Sequence, residues 1–174
     1  MQAGGFAIWI TGLPASGKST IARALAEKLR ERGIRIQILE SDEMRKVFTP
    51  KPTYSEEERE TFYNSMAYVG KVLVQNGVNV IFDATANRKK YRESGRNLIE
   101  KFMTVYVKCP LDICMKRDPK GIYKSGLQGK AGTVPGLQSP YEEPENPEVV
   151  VFSDRETPEE CVEKIFLKVQ ERFL

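Results

Sequence analysis

At 174 residues, 40% hydrophobic and 29% charged, the chain has the size and balance of one globular domain with its own core. Its net charge of +3 is not gathered into a basic run, which gives no argument for a nucleic-acid partner. No stretch has the apolar length of a membrane span, no signal-peptide pattern opens the chain, and Cys109, Cys114 and Cys161 lack CxxC spacing, which together predict a cytoplasmic protein with reduced thiols.

The first predicted element is a strand, the continuous apolar run Phe6-Ala7-Ile8-Trp9-Ile10. Directly after it, Gly12-Leu13-Pro14-Ala15-Ser16-Gly17-Lys18-Ser19 fits the phosphate-binding loop pattern of Gly, four residues, Gly-Lys-Ser/Thr. Gly12 and Gly17 let the backbone turn tightly, so that successive N–H groups and a helix N-terminus face a polyphosphate. Lys18 would reach the outer phosphates and Ser19 would take one position on Mg²⁺. A helix follows with Ile21, Leu25 and Leu29 on one stripe, stopped at Gly33.

Ile34 to Glu40 reads as a second strand that sets Asp42 at its carboxyl end, and residues 43–48 as a short helix. Ser55 caps a long helix running to about Gln75, in which Tyr63, Met66 and Val69 could serve a homodimer or could be ordinary core. Val78 to Asp83 is a third strand, again with an acid at its carboxyl end. A helix from Lys89 to Phe102, with Tyr91, Leu98 and Ile99 as candidate inward residues, leads to a fourth strand from Met103 to Lys108. A short helix spans Pro110 to Arg117. From Asp118 to Glu148 prolines and glycines accumulate and apolar periodicity vanishes, which predicts a functional lid. A fifth strand, Glu148 to Phe152, and a helix capped by Thr157 with Pro158 at its first position complete the chain. Strands alternating with helices and no hairpin signal predict an α/β fold, a five-stranded parallel sheet flanked by helices as in phosphate-loop kinases.

Three features favour a small-molecule kinase: the short domain with a lid before the last strand, Asp42 across from the loop as a base for a substrate hydroxyl, and the many arginines and lysines in the segments that would face that point. Histidine is absent, which excludes a histidine base, a histidine-bound metal and a phosphohistidine intermediate. No Asn-Lys-x-Asp stretch of the guanine-reading kind is present. Asp83 suits a water-mediated Mg²⁺ ligand, or else a cap or a partner of Arg88. Arg117 and Lys120, at the start of the lid, suit phosphate clamping.

The chain resembles the adenylylsulfate kinase family over nearly its full length. The resemblance is carried by Gly12 to Thr20, Ser41-Asp42-Glu43-Met44-Arg45 and Tyr54-Ser55-Glu56-Glu57-Glu58-Arg59, then by Cys109-Pro110-Leu111-Asp112. More specific are Arg117-Asp118-Pro119-Lys120-Gly121-Ile122-Tyr123 and Ser139-Pro140-Tyr141-Glu142. It implies transfer of the γ-phosphate of ATP, with Mg²⁺, to the 3′-hydroxyl of adenosine 5′-phosphosulfate. It further implies Asp42 at the transfer centre, Arg45 and Arg59 on the phosphosulfate, Tyr54 against the substrate adenine, Lys120 near the reacting phosphates and Arg117 by the ATP adenine. The departures are Phe62 and Asn64, where the family usually has Asn and Arg, together with Asp83-Ala84-Thr85-Ala86 and the segment around Gly132-Thr133-Val134-Pro135. They leave open a kinase of another nucleotide, sugar or polyol hydroxyl. A nucleotide-dependent regulatory protein is the remaining alternative, against which intact Lys18, Ser19 and Asp42 argue.

Overall fold

The computed structural model describes residues 4–174. In chain order its elements are β1 (Ala7–Thr11), α1 (Lys18–Arg30), β2 (Ile36–Glu40), α2 (Ser41–Phe48), α3 (Glu56–Gln75) and β3 (Asn79–Asp83). There follow α4 (Lys89–Leu98), β4 (Phe102–Lys108), α5 (Leu111–Arg117), α6 (Ile122–Leu127), β5 (Val149–Phe152) and α7 (Pro158–Phe173). The five strands pair in the order β2-β3-β1-β4-β5, every pairing parallel.

Strand β1 explains why its sequence shows no alternation. Ile8 and Ile10 point into a layer with Ile21, Leu25 and Leu29 of α1 and Ile165, Phe166 and Val169 of α7. Ala7 and Trp9 point into the opposite layer, with Phe62 and Met66 of α3 and Tyr91 of α4. Both faces are covered, so both sets must be apolar. Trp9 is fully buried, yet its indole N–H donates to the Ala84 carbonyl at 3.2 Å, so its one polar atom is satisfied.

The chain leaves β1 toward β2 and β3 on one side, then crosses to β4 and β5 on the other. At that reversal the carboxyl ends of the strands open a crevice, the place where α/β sheets accept ligands. The caps behave as their residues predict. Ser55 accepts the Glu58 N–H at 3.1 Å, and Thr157 and Glu160 form a reciprocal capping box with Pro158 behind them.

Several expectations need correction. Helix α4 ends at Leu98, which is 39% exposed, and Ile99 is buried only as the residue beyond it. Phe102 belongs to β4, where its ring packs against Trp9 and Phe82, so strand pairing wins over helix continuation. Asp42 lies in the first turn of α2 rather than at a strand end, because that helix starts at Ser41. The lid is not structureless: it contains α6, and Tyr123 and Val134 bury themselves with Cys109 and Cys114. A six-residue helix is too short to show a period. Of the two readings of α3, ordinary core holds for Tyr63 and Met66, and Val69 is half-buried against the same core. Among the described residues no helix is long and apolar enough to cross a membrane. All three thiols are free and buried, and burial pushes the Cys114 thiol up to about 12.

Candidate active site

The loop between β1 and α1 is built as a cradle by two glycines with different tasks. Gly17 sits at φ +98°, a left-handed conformation that a side chain would strain. Gly12 is needed for closeness: a Cβ there would lie 2.5 Å from the Val107 carbonyl oxygen and 2.7 Å from Ser16 Oγ. The second glycine therefore sets the turn, while the first lets the loop lie against β4.

Lys18, 9% exposed, donates to the Leu13 carbonyl at 2.9 Å. Burial pulls its ammonium below the ordinary lysine value, with Asp83 and Asp42 pulling the other way. Ser19 donates to Asp83 Oδ2 at 2.6 Å. Burial raises the Asp83 carboxyl above its ordinary value against the opposing pull of Lys18 and Ser19. Asp83 is thus neither a helix cap nor a partner of Arg88, which binds Glu56 and Glu142 instead.

Lys120, from the start of the lid, donates to Asp42, and this bond holds its ammonium above the ordinary value. Arg117 donates to the Ser153 carbonyl at 2.7 Å, and Ser153 Oγ in turn donates to the Ser16 carbonyl at 2.6 Å. That chain ties α5, the turn after β5 and the phosphate loop together. Ser153 carried no sequence signal.

Across the crevice, Arg45 and Arg59 are buried at 8% and 6% exposure. Arg59 donates to the Thr133 carbonyl at 2.8 Å and to Ser139 Oγ at 3.3 Å, so it ties the lid to α3. The Arg45 guanidinium has Glu58 Oε1 at 3.7 Å, and its buried Nη1 has no hydrogen-bond partner among the described residues. Tyr54 stands at φ +56° and is 40% exposed, its ring 5.0 Å from Arg45. Glu58 fixes that turn by accepting the N–H groups of Thr53 and Tyr54. Burial acts to raise the Glu58 carboxyl, but these bonds and Arg45 outweigh it and hold it below the ordinary range.

The block Ser139 to Glu142 works as a strap. Tyr141 shares a 2.9 Å hydrogen bond with Thr11 Oγ1, and Asn87 donates to the Pro140 carbonyl at 2.9 Å. Buried Arg92 donates to the carbonyls of Ala86 and Glu142 at 2.6 and 2.7 Å. The block Ser139 to Glu142 stood out in the sequence, but its anchors Asn87 and Arg92 did not, because they lie some fifty residues away from it in the chain.

These parts surround one cavity of about 710 Å³. Lys18, Ser19, Asp83, Asp42 and Lys120 line it at the phosphate-loop end, with Arg117 beside Ser153 and Pro158, and Arg45, Arg59 and Tyr54 line it too. Of the departures, Asn64 is exposed on the outer side of α3 and Phe62 lies behind Arg45, while Thr85 and Thr133 reach the wall.

Residues 4–152 match the model of the family described as adenylylsulphate kinase. The chain belongs to that family. A probable adenylyl-sulfate kinase of Pyrococcus abyssi is 44% identical over 167 residues, 96% of each chain. One from Archaeoglobus fulgidus is 43% identical over 86% of this chain and 97% of its own. Among solved structures, the Mycobacterium tuberculosis APS kinase in complex with AMPPNP and APS superposes with a TM-score of 0.91 at 29% identity, covering 96% of this chain and 98% of that one. The sheet order, the loop and the lid described above are thus carried on a family fold.

Proposed function

We infer that the chain transfers the γ-phosphate of ATP to the 3′-hydroxyl of adenosine 5′-phosphosulfate. The observation that carries this reading is what one cavity brings together: a phosphate loop, two buried arginines beside an aromatic ring, and Asp42 with Lys120. Family membership supports the same acceptor.

In this reading residues 12–20 hold the triphosphate, and Lys18 draws charge from its outer phosphates. Arg117 lies beside the adenine. Arg45 and Arg59 hold the phosphosulfate, and Tyr54 covers the acceptor purine. Asp42 accepts the proton of the 3′-hydroxyl as that oxygen attacks phosphorus in line, with ADP leaving on the far side. Lys120 sets the carboxylate's orientation and offsets charge at the transferred group. No covalent enzyme intermediate is required. The lid residues tied to Arg59 exclude water, which would otherwise take the phosphoryl group. Ser19 and Asp83 suit Mg²⁺, since a hydroxyl and a buried carboxylate stand side by side as hard oxygen donors. When bound, the ion supplies charge neutralisation at the phosphates.

The test is ADP release with Mg-ATP and a panel of hydroxyl acceptors. Turnover at micromolar adenosine 5′-phosphosulfate, well above that on sugars, polyols and other nucleotides, is the expected result. Tight ATP binding with no turnover on that acceptor would overturn the acceptor assignment and leave the nucleotide assignment standing.

A further inference from the structure

Arg45 is a buried cation whose nearest carboxylate, Glu58, stands 3.7 Å away, too far for a hydrogen bond. Its Nη1 is buried without a hydrogen-bond partner among the described residues. Such a group is costly unless something stabilises it and something completes it. Three aromatic rings surround it. The guanidinium carbon lies 3.9 Å from the ring centroid of Phe62, 5.0 Å from that of Tyr54 and 5.6 Å from that of Tyr63.

Phe62 makes the closest of these contacts. It is 1% exposed and is held edge-on by Tyr63 at 5.2 Å and Phe48 at 6.4 Å, so its own position is fixed by packing. A guanidinium over an aromatic face is attracted through the ring quadrupole and keeps its in-plane N–H donors free. Those donors are what a tetrahedral oxyanion uses in a bidentate contact.

We propose that Phe62 is a positioning residue that acts through Arg45, holding the guanidinium plane so that its free donors meet the anionic group of the acceptor substrate. The role rests on the functional reading above and extends it to a residue that never touches substrate.

The test compares F62M, which keeps the volume without a π-face, and F62Y, which keeps the face. For F62M the expected result is a rise of about tenfold in KM for adenosine 5′-phosphosulfate, with KM for ATP within twofold of wild type. F62Y should restore KM to within about threefold. In an R45A background F62M should have no further effect, because the residue through which it acts is gone. The proposal is overturned if F62M leaves the acceptor KM unchanged, raises both KM values alike, or multiplies with R45A as an independent site would. Wild-type protein that neither binds nor turns over adenosine 5′-phosphosulfate would sink the functional reading as well, a result distinct from normal turnover with an indifferent F62M.

Discussion

Ser19 Oγ donates to Asp83 Oδ2 at 2.6 Å, joining the first turn of α1 to the carboxyl end of β3 across 64 residues of sequence. The pair brings a small hydroxyl and a buried carboxylate to the point where Lys18 also reaches. If this is where Mg²⁺ is held, D83N should weaken the dependence on the ion without abolishing nucleotide binding. We expect the Mg²⁺ concentration for half-maximal rate to rise about 10–100-fold, as for other residues that orient a metal's ligands. Titrating Mg²⁺ at saturating ATP measures it, and an unchanged midpoint would exclude Asp83 from the metal site.

Asp42 and Lys120 are joined although 78 residues separate them. A carboxylate that accepts a substrate proton contributes about 10²–10⁴-fold to rate. D42N should therefore lower kcat by that factor while the affinity for a non-hydrolysable ATP analogue stays within about threefold of wild type. Equal losses in both would mean that Asp42 serves binding.

Arg59 holds the lid through Thr133 and Ser139. Hydrogen bonds to a charged group are worth about 1.5–3 kcal/mol. In R59M the amides between Ala131 and Ser139 should exchange with solvent about tenfold faster or more, while those of β1 and β4 keep their protection. Uniformly faster exchange would show a global loss instead.

Glu148 pins the start of β5, accepting from Arg96 at 2.9 and 3.0 Å and from the Thr104 N–H at 2.6 Å. Burial acts to raise its carboxyl, but Arg96 and Thr104 outweigh it and leave the folded value below the ordinary one. A depressed folded value contributes stability that is present above the unfolded carboxylate pKa of about 4.3 and is lost as pH falls through the folded value. E148Q should therefore cost about 2 kcal/mol near pH 7, and the gap to wild type should close below about pH 4. Urea unfolding at several pH values tests both the size and the sign.

Much of the fold was legible because its signals are local. The run Phe6 to Ile10, the stripe Ile21, Leu25, Leu29 and the caps at Ser55 and Thr157 each state their structure within a few residues. The misreadings fall where the local signal is short or shared. Phe102 is as compatible with a helix end as with a strand start, and only the rings of Trp9 and Phe82 decide for the strand. Tyr123 and Val134 lie in a stretch without period, and their burial depends on Cys114 from another element.

The sequence by itself determined the chemistry: a loop that cradles phosphate, a basic and acidic set without histidine, and a parallel α/β frame. Spacing fixes these because glycine freedom, side-chain pKa and strand periodicity are properties of the residues and their neighbours. Only the tertiary structure decided that Arg59 holds the lid, that Lys120 meets Asp42, and that Phe62 lies against Arg45. Two of those contacts join distant segments, and the third joins two helices. Their geometry is set by how the helices pack on the sheet, which no window of sequence contains.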